Sequence, residues 1–381
     1  MEKSININIG GDFVLTNEVH KNIRIGQELK ELFDEADLNI LNLECPVTNS
    51  SQKAEKTGPH LKGSENAISR ILHKLNVGLV TLANNHVMDF GEKGLHDTIE
   101  FCDREGVAQI GAGATLTDAS KVYRVNIKGK KIAVLNFAQN EWSIAEEDRA
   151  GANPIDLIDN SRQIREEKNI SDVIIVIIHA GHEYYNLPSP DMVKRNRFYA
   201  ECGASIVIGH HSHCISGHEI HCGVPIVYGL GNFLFTEQSR FDDWYTGLVL
   251  KLTISNFQSL GFELIPVGQA KENYDLTLLQ NDERFAVLGR VERYGFVIAN
   301  EKLLKSNWEG FLDKKAKKYF QVLSVAGVFK NRYIKGLVSK LNLSKYLFNK
   351  RMLKSWLNIM RCEAHSEASQ GIIKKYLANG R

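Results

Sequence analysis

Five apolar runs of strand length each stop at a cluster of polar or metal-ligating residues, and this recurrence constrains the chain more than any other feature. Ile5-Asn6-Ile7-Asn8-Ile9 alternates apolar and polar residues and ends in Gly10-Gly11-Asp12, the pattern of a strand followed by a turn. Asp37 to Leu43 is a second short apolar strand, closing on Asn42 to Glu44. Val77 to Leu82 leads into Asn84-Asn85-His86. Val173 to Ile178 is continuously apolar, which predicts a strand buried on both faces, and it runs into His179 to Glu183. Ser205 to Ile208 leads into Gly209-His210-His211-Ser212-His213. Helical spacing occupies 66–75, 94–105 and 191–202, and 131–137, 225–230 and 247–254 complete the strands. Strands alternating with helices predict a layered α/β architecture. In open α/β folds ligands bind beyond the carboxyl ends of the strands, so these clusters are expected to converge on one site.

A chain of 381 residues, 43% hydrophobic, suffices for one large domain with an appendage. The appendage shows in the charge. Residues 301–381 carry 18 Lys/Arg against 5 Asp/Glu, a net of +13, whereas the whole chain carries +2. That segment is Lys-rich and helical in character, so the expected division is 1–275 for the α/β domain and 276–381 for a basic helical extension. On a helical wheel, Phe348, Met352, Leu353, Trp356, Leu357, Ile359 and Met360 share one half, interrupted by Asn349. Lys350, Arg351, Lys354, Asn358 and Arg361 share the other, with Leu347 an exception. The expectation is that the apolar half packs on the α/β domain. The competing reading lays it on an anionic membrane surface. Six cysteines without a CxxC pair read as reduced thiols, and neither an apolar leader nor an 18-residue apolar run occurs. The expected location is cytoplasmic, peripheral to the inner face of the membrane under the second reading.

The clusters carry metal chemistry. His211 and His213 form an H-x-H pair after a strand, able to chelate one ion or hold one each, and His179 stands after another strand. Oxygens from Asp12, Glu44 and Asn85 would complete a mixed N/O site, which suits Mn, Fe or Zn better than Mg or Ca. A lone histidine after a strand is usually a hydrogen-bonded structural residue, and a lone Gly-Asp is usually a turn. The conjunction of ligand types at successive strand ends is what argues for metal.

From about Asn8 to Phe235 the motifs follow, in order, those of a known family. They are Gly11-Asp12, Asn42 to Thr48 (NLECPVT), Ala83 to Gly91 (ANNHVMDFG), Gly111-Ala112-Gly113, His179 to Tyr184 (HAGHEY), Gly209 to His213, and Tyr228 to Phe235. This series resembles the CapA family of capsule and poly-γ-glutamate biosynthesis proteins. That family is similar to the calcineurin-like metallophosphoesterases, so the resemblance implies a four-layer α/β/β/α sandwich holding two divalent metal ions. It implies that Asp12 binds the first metal, Glu44 bridges, Asn85 binds the second, and His179, His211 and His213 complete the set. His86 would protonate a leaving group. Asn84, Asp89, Glu183 and His210 would support these residues or face substrate, with Glu183 orienting His179 or its neighbours. The implied function is hydrolysis of a phosphoester or related bond in capsule or exopolymer production, on an anionic polymer or phosphorylated precursor and alongside other capsule-synthesis proteins. The alternative is a non-catalytic accessory partner of a polymer synthase or exporter. No aromatic-basic interleaving points to nucleic acid.

Three departures from the phosphoesterase pattern stand out. Phe13 and Val14 follow Asp12 where Asp-x-His is usual, leaving the first metal a ligand short. Ala180 replaces a usual tryptophan, and Ser212 a usual proline. His182 and His210 are extra histidines able to substitute. Asn232 and Phe233 read as a structural turn, and Gly111 and Gly113 as a tight turn.

Overall fold

The computed structural model describes residues 4–16, 23–255, 260–323 and 349–378, with side chains described to 316 and 376 in the last two segments. The chain runs β1 (Ile5–Val14), α1 (Gln27–Asp34), β2 (Leu38–Leu43), α2 (Glu65–Lys74), β3 (Val77–Thr81), α3 (Gly91–Glu105), β4 (Ala108–Ile110), β5 (Ala112–Gly113) and α4 (Leu116–Ala119). It continues with β6 (Tyr123–Ile127), β7 (Lys130–Ala138), β8 (Gly151–Ala152), α5 (Leu157–Glu167), β9 (Val173–His179), α6 (Pro190–Cys202) and β10 (Ile206–His210). Then come β11 (His218–His221), β12 (Val224–Val227), β13 (Asn232–Phe235), β14 (Thr246–Ile254), β15 (Leu260–Gln269) and β16 (Leu276–Leu278). Helices α7 (Asn281–Ala299), α8 (Glu301–Leu323), α9 (Lys350–Arg361) and α10 (Glu363–Ala378) complete the described chain.

The strands form two large sheets. One is ordered β16-β15-β14-β1-β2-β3-β4, with β13 also pairing to β1, and the other β11-β12-β10-β9-β7-β6. Ile5, Ile7 and Ile9 of β1 meet Ile132 and Val134 of β7 and Val173, Ile175 and Ile177 of β9 in a core between the sheets. On its outer face the first sheet packs against α1 and α2 through Leu29, Phe33, Ile68 and Ile71. Ile174, Val176 and Ile178 turn the other way, into a third core with Ile164 of α5 and Val193 and Tyr199 of α6. The layers are therefore α/β/β/α, as expected, and β9 is buried on both faces because its alternate residues feed two cores.

Gly10-Gly11-Asp12 is not a turn. β1 continues through it to Val14 with a shift in register between Ile9 and Asp12 against β2. Gly11 is required there, since a Cβ would lie 1.9 Å from the carbonyl oxygen of Gly231, the residue that leads β13 in beside β1. Asn232 to Phe235 likewise is a strand rather than a turn, paired in parallel with β1.

The C-terminal helices pack back on the sandwich. Val287 and Val291 of α7 enter the inter-sheet core. Trp308, Phe311 and Leu312 of α8 join Ala368 and Ile372 of α10 in a separate small core beside Tyr185. Helix α9 overturns the expected packing. Its polar side faces the protein: Lys350 and Lys354 pair with Glu55, Asn358 is buried, and the Arg361 guanidinium lies 3.8 Å from the centre of the Trp142 ring. Leu353, Leu357 and Met360 are 50, 50 and 70% exposed. The polar half has specific partners on the sandwich and on α10, whereas the apolar half is divided, with Met352, Trp356 and Ile359 half-buried beside the exposed stripe. Of the wheel, Leu347 and Phe348 fall outside the described residues.

Candidate metal centre

Strand register assembles the site. Asp12 stands opposite Asn42 and Asn232, Asn42 opposite Thr81, and His179 opposite His210. The polar clusters therefore gather at the carboxyl ends of both sheets. His211 and His213 have left-handed backbones, with φ of +88° and +52°. Such conformations are uncommon outside glycine and concentrate at functional sites. Here they fold the segment after β10 so that both imidazoles reach the same centre.

Two three-residue sets share one carboxylate. Asp12, Glu44 and His213 place one ligand atom each within 4.8 Å of one another, and so do Glu44, His179 and His211. His179 Nε2 lies 3.3 Å from Glu44 Oε1, 3.0 Å from His211 Nδ1 and 2.9 Å from Asn85 Oδ1. His213 Nδ1 lies 3.3 Å from Asp12 Oδ2, and its Nε2 3.8 Å from Glu44 Oε1. The structure thus brings together all six residues expected as ligands. Glu44 is fully buried, and neither carboxylate oxygen has a hydrogen-bond partner. A buried charged group without partners is costly unless an ion compensates it, so this donor set fits divalent metal.

Electrostatics agree. Burial, reinforced by Asp12 and by more distant carboxylates, pushes Glu44 well above its ordinary range. Burial also works against a charged Asp12, but His210 and His213 outweigh it and hold that carboxyl well below normal. Burial drives His179 and His211 down, which keeps them neutral, the ligating form. His213 is raised against its burial by Asp12.

Around this centre, Asn42 donates to Asp12 Oδ1 at 2.8 Å and contacts His179 Nδ1 at 3.2 Å. Gln139 holds His211 Nε2 at 2.9 Å, and Asn232 Oδ1 holds His213 Nδ1 at 3.0 Å. Asn42, rather than Glu183, orients His179. Glu183 is exposed and lines the cavity beside the centre, where His213 and His211 hold its carboxyl low. His210 is 1% exposed, with Nδ1 3.4 Å from Asp12 Oδ1, yet neither ring nitrogen makes a hydrogen bond. Phe13 and Val14, which stand where Asp-x-His was expected, point into the outer core.

His86 lies beside the ligands. Its Nδ1 is 2.7 Å from Asp89 Oδ2 and 3.3 Å from Lys56 Nζ, and Lys56 also pairs with Asp89. Asn84 fixes the turn by accepting from the His86 backbone N–H at 3.1 Å. Burial, then Lys56, outweigh Asp89 and lower the His86 pKa. A cavity of about 310 Å³ opens over Asn85, His86 and His211, and its far wall is Phe311, Lys315, Asn358 and His365 from the C-terminal helices.

Sequence reasoning assigned no role to Asn42, Lys56, Gln139 or the C-terminal wall, and took Asn232 for a turn. Asn42 was recoverable, since it sits two residues before Glu44 on the same strand face. Lys56, Gln139 and the wall residues are set by tertiary packing and leave no local pattern.

Residues 6–237 match the family described as bacterial capsule synthesis protein PGA_cap. The chain belongs to this family. The PGA biosynthesis protein CapA of Bacillus subtilis is 31% identical over 217 residues, 56% of this chain and 57% of that protein. The capsule biosynthesis protein CapA of Bacillus anthracis is 31% identical over 206 residues, 51% and 50% of the two chains. A probable polyglutamine synthesis accessory protein of Mycobacterium tuberculosis is 29% identical over 209 residues, 51% and 55%. The match thus spans about half the length of these relatives. It covers every PGA_cap residue placed at the centre, and stops before α7.

Proposed function

We propose that this PGA_cap protein is a two-metal hydrolase of capsule polymer production that cleaves a phosphoester. The observation that carries the reading is Glu44, a fully buried carboxylate without hydrogen-bond partners, shared by two histidine-containing ligand sets. Asp12, Glu44 and His213 would hold one ion, with His210 replacing the missing histidine of the first motif. Glu44, Asn85, His179 and His211 would hold the other. The donor set favours Mn, Fe or Zn. Bound metal supplies Lewis acidity and lowers the pKa of a water.

The chain's own residues do the rest. Asn42, Gln139 and Asn232 fix the imidazole orientations, as partners behind ligating histidines do. Asp89 accepts a hydrogen bond from His86 Nδ1, which leaves Nε2 to carry the proton given to the departing oxygen. Lys56 pairs with Asp89 and holds the turn closed. The test is elemental analysis of the purified protein together with turnover of a chromogenic phosphodiester. Metal bound without turnover on any phosphoester would favour the second reading, an accessory partner of a polymer synthase or exporter. Phe13 and Val14 in place of Asp-x-His are the observation on that side.

The proposed partners are an anionic polymer or phosphorylated precursor, other capsule-synthesis proteins, and an anionic membrane surface. The membrane reading rests on α9, where Leu353, Leu357 and Met360 form an exposed stripe in a strongly basic segment. No helix among the described residues is long and apolar enough to cross a membrane.

A further inference from the structure

We propose that Glu201, His221 and Cys222 form a further, exposed metal site that takes Zn²⁺ and ties the end of α6 to the β11–β12 hairpin. The inference does not rest on the two-metal reading above, because the site shares no residue with the buried centre and lies at the other end of the sheet. β12 runs parallel to β10, and the hairpin turn precedes β12. The turn therefore sits at the amino ends of these strands, whereas the buried centre sits at their carboxyl ends. At about 3.3 Å per strand residue, the two sites are roughly 20 Å apart.

Helix and strand periods bring the donors together. Arg197 and Glu201 stand one turn apart on α6, and Glu219 and His221 share one face of β11. Two rungs join these elements. Arg197 pairs with both carboxylate oxygens of Glu219, at 2.9 and 2.6 Å, and His221 Nε2 lies 2.7 Å from Glu201 Oε1. Ion pairing accounts for the first rung and would account for the second if it ended there. Cys222 is what the second rung adds: one donor atom from each of Glu201, His221 and Cys222 lies within 4.8 Å of the other two.

Neither the turn nor the core explains Cys222. Cys222 and Gly223 are the two-residue loop between the paired His221 and Val224, with φ of +51° and +81°. Such loops favour Asn or Asp before the Gly, because a Cβ resists positive φ. Of the six cysteines, Cys222 alone is exposed. Burial raises the thiol pKa of Cys45, Cys102, Cys202, Cys214 and Cys362, which opposes the thiolate form that metal requires. One sulfur, one imidazole nitrogen and one carboxylate oxygen suit tetrahedral Zn²⁺ with water as the fourth ligand, and the sulfur disfavours Mg²⁺ and Ca²⁺. Bonds of about 2.0–2.3 Å set tetrahedral ligand atoms about 3.3–3.6 Å apart. The exposed Glu201 side chain needs to draw back from His221 by less than about 1 Å to admit the ion.

The test adds Co²⁺, as the spectroscopic stand-in for Zn²⁺, to the Mn²⁺-loaded full chain. The donors of the buried centre are nitrogen and oxygen, so a sulfur-to-cobalt charge-transfer band reports the outer site alone. Co²⁺ should produce this band, and Zn²⁺ should abolish it. Cys222→Ser should remove the band and leave the Mn²⁺ content unchanged. His221→Ala should weaken Co²⁺, read from the band, more than about 100-fold, beyond the range for losing a group behind a ligand. Absence of the band in the wild type, or its persistence in Cys222→Ser, would overturn the proposal. Unchanged Co²⁺ affinity in both His221→Ala and Glu201→Gln would reduce the site to a lone thiol and overturn it as well. The band should keep its full strength in Glu44→Gln, whichever way the two-metal reading falls, and its loss there would refute the assignment to Cys222.

Discussion

Glu44→Gln should stabilise the metal-free protein and destabilise the metal-loaded one. Glu44 is fully buried, its oxygens lack partners, and burial together with Asp12 raises its pKa well above the ordinary value. A folded pKa above the unfolded one gives stability that is complete below the unfolded value and is lost as pH rises through the folded value. At pH 8 the metal-free protein should therefore pay for burying Glu44, either by holding its charge or by keeping it protonated, at a cost of about 3 kcal/mol. Glutamine has the same shape and no charge. With an unfolding entropy of about 2.1 cal/mol/K per residue, a 3 kcal/mol gain raises Tm by about 4 °C in a chain of 381 residues. Metal reverses the order. At a hundredfold excess over Kd one ion stabilises the wild type by about 2.7 kcal/mol, or about 3 °C, and both ligand sets need Glu44. Thermal denaturation of both proteins at pH 8, in chelator and in Mn²⁺, reads all four values. A lower metal-free Tm in Glu44→Gln, or a full Mn²⁺-induced rise in that variant, would refute the reasoning.

His86→Ala should keep its metal and lose roughly 10²–10⁴-fold in turnover, the range for a general acid; metal loss on elemental analysis would show His86 to be a ligand instead. Because burial and Lys56 lower the His86 pKa, the acid-dependent limb of kcat/KM should fall as pH rises, with its midpoint below 6.5. Lys56→Gln removes a cation and breaks a buried ion pair, leaving Asp89 to His86 and the Leu61 N–H, so that midpoint should move up while stability drops by roughly 3–5 kcal/mol. A midpoint unchanged or lower in a pH–rate series would contradict this account. His210→Ala should weaken one of two metal sites by roughly 10–100-fold in a Mn²⁺ titration, and two unaltered sites would return His210 to a structural role. A triple Leu353→Glu, Leu357→Glu, Met360→Glu variant should lose co-sedimentation with phosphatidylserine vesicles. No sedimentation of the wild type, or equal sedimentation of both, ends the membrane reading.

The layered fold and the ligand cluster were legible because both are local patterns repeated along the chain. Val173 to Ile178 announces burial on two faces by its continuous apolarity, and the structure divides it between two cores. Asp12, Glu44, Asn85, His179, His211 and His213 each follow or end a strand, and parallel pairing with matched register does the rest. What stayed hidden depends on register shifts and on packing between distant segments. Gly10-Gly11-Asp12 has the composition of a turn. It is held in a strand because Gly11 lets the Gly231 carbonyl approach, a contact across 220 residues of sequence. His210 looked supernumerary until its position against Asp12 was seen.

Helix α9 shows where periodicity stops being informative. A wheel separates an apolar from a polar half, but it does not say which half faces the protein. Burying the apolar half is the usual outcome because it removes hydrocarbon from water. Here the sandwich and α10 offer the opposite template. Glu55 takes Lys350 and Lys354, the Trp142 face takes Arg361, and His365 takes the Asn358 amide. Each of these contacts is modest, and two are salt bridges to an exposed glutamate, worth little alone. They do not by themselves outweigh the cost of exposing Leu353, Leu357 and Met360 to water. That imbalance is the physical case for a second surface covering the stripe, and the vesicle experiment tests whether that surface is lipid. The same orientation turns Asn358 into the cavity over His86.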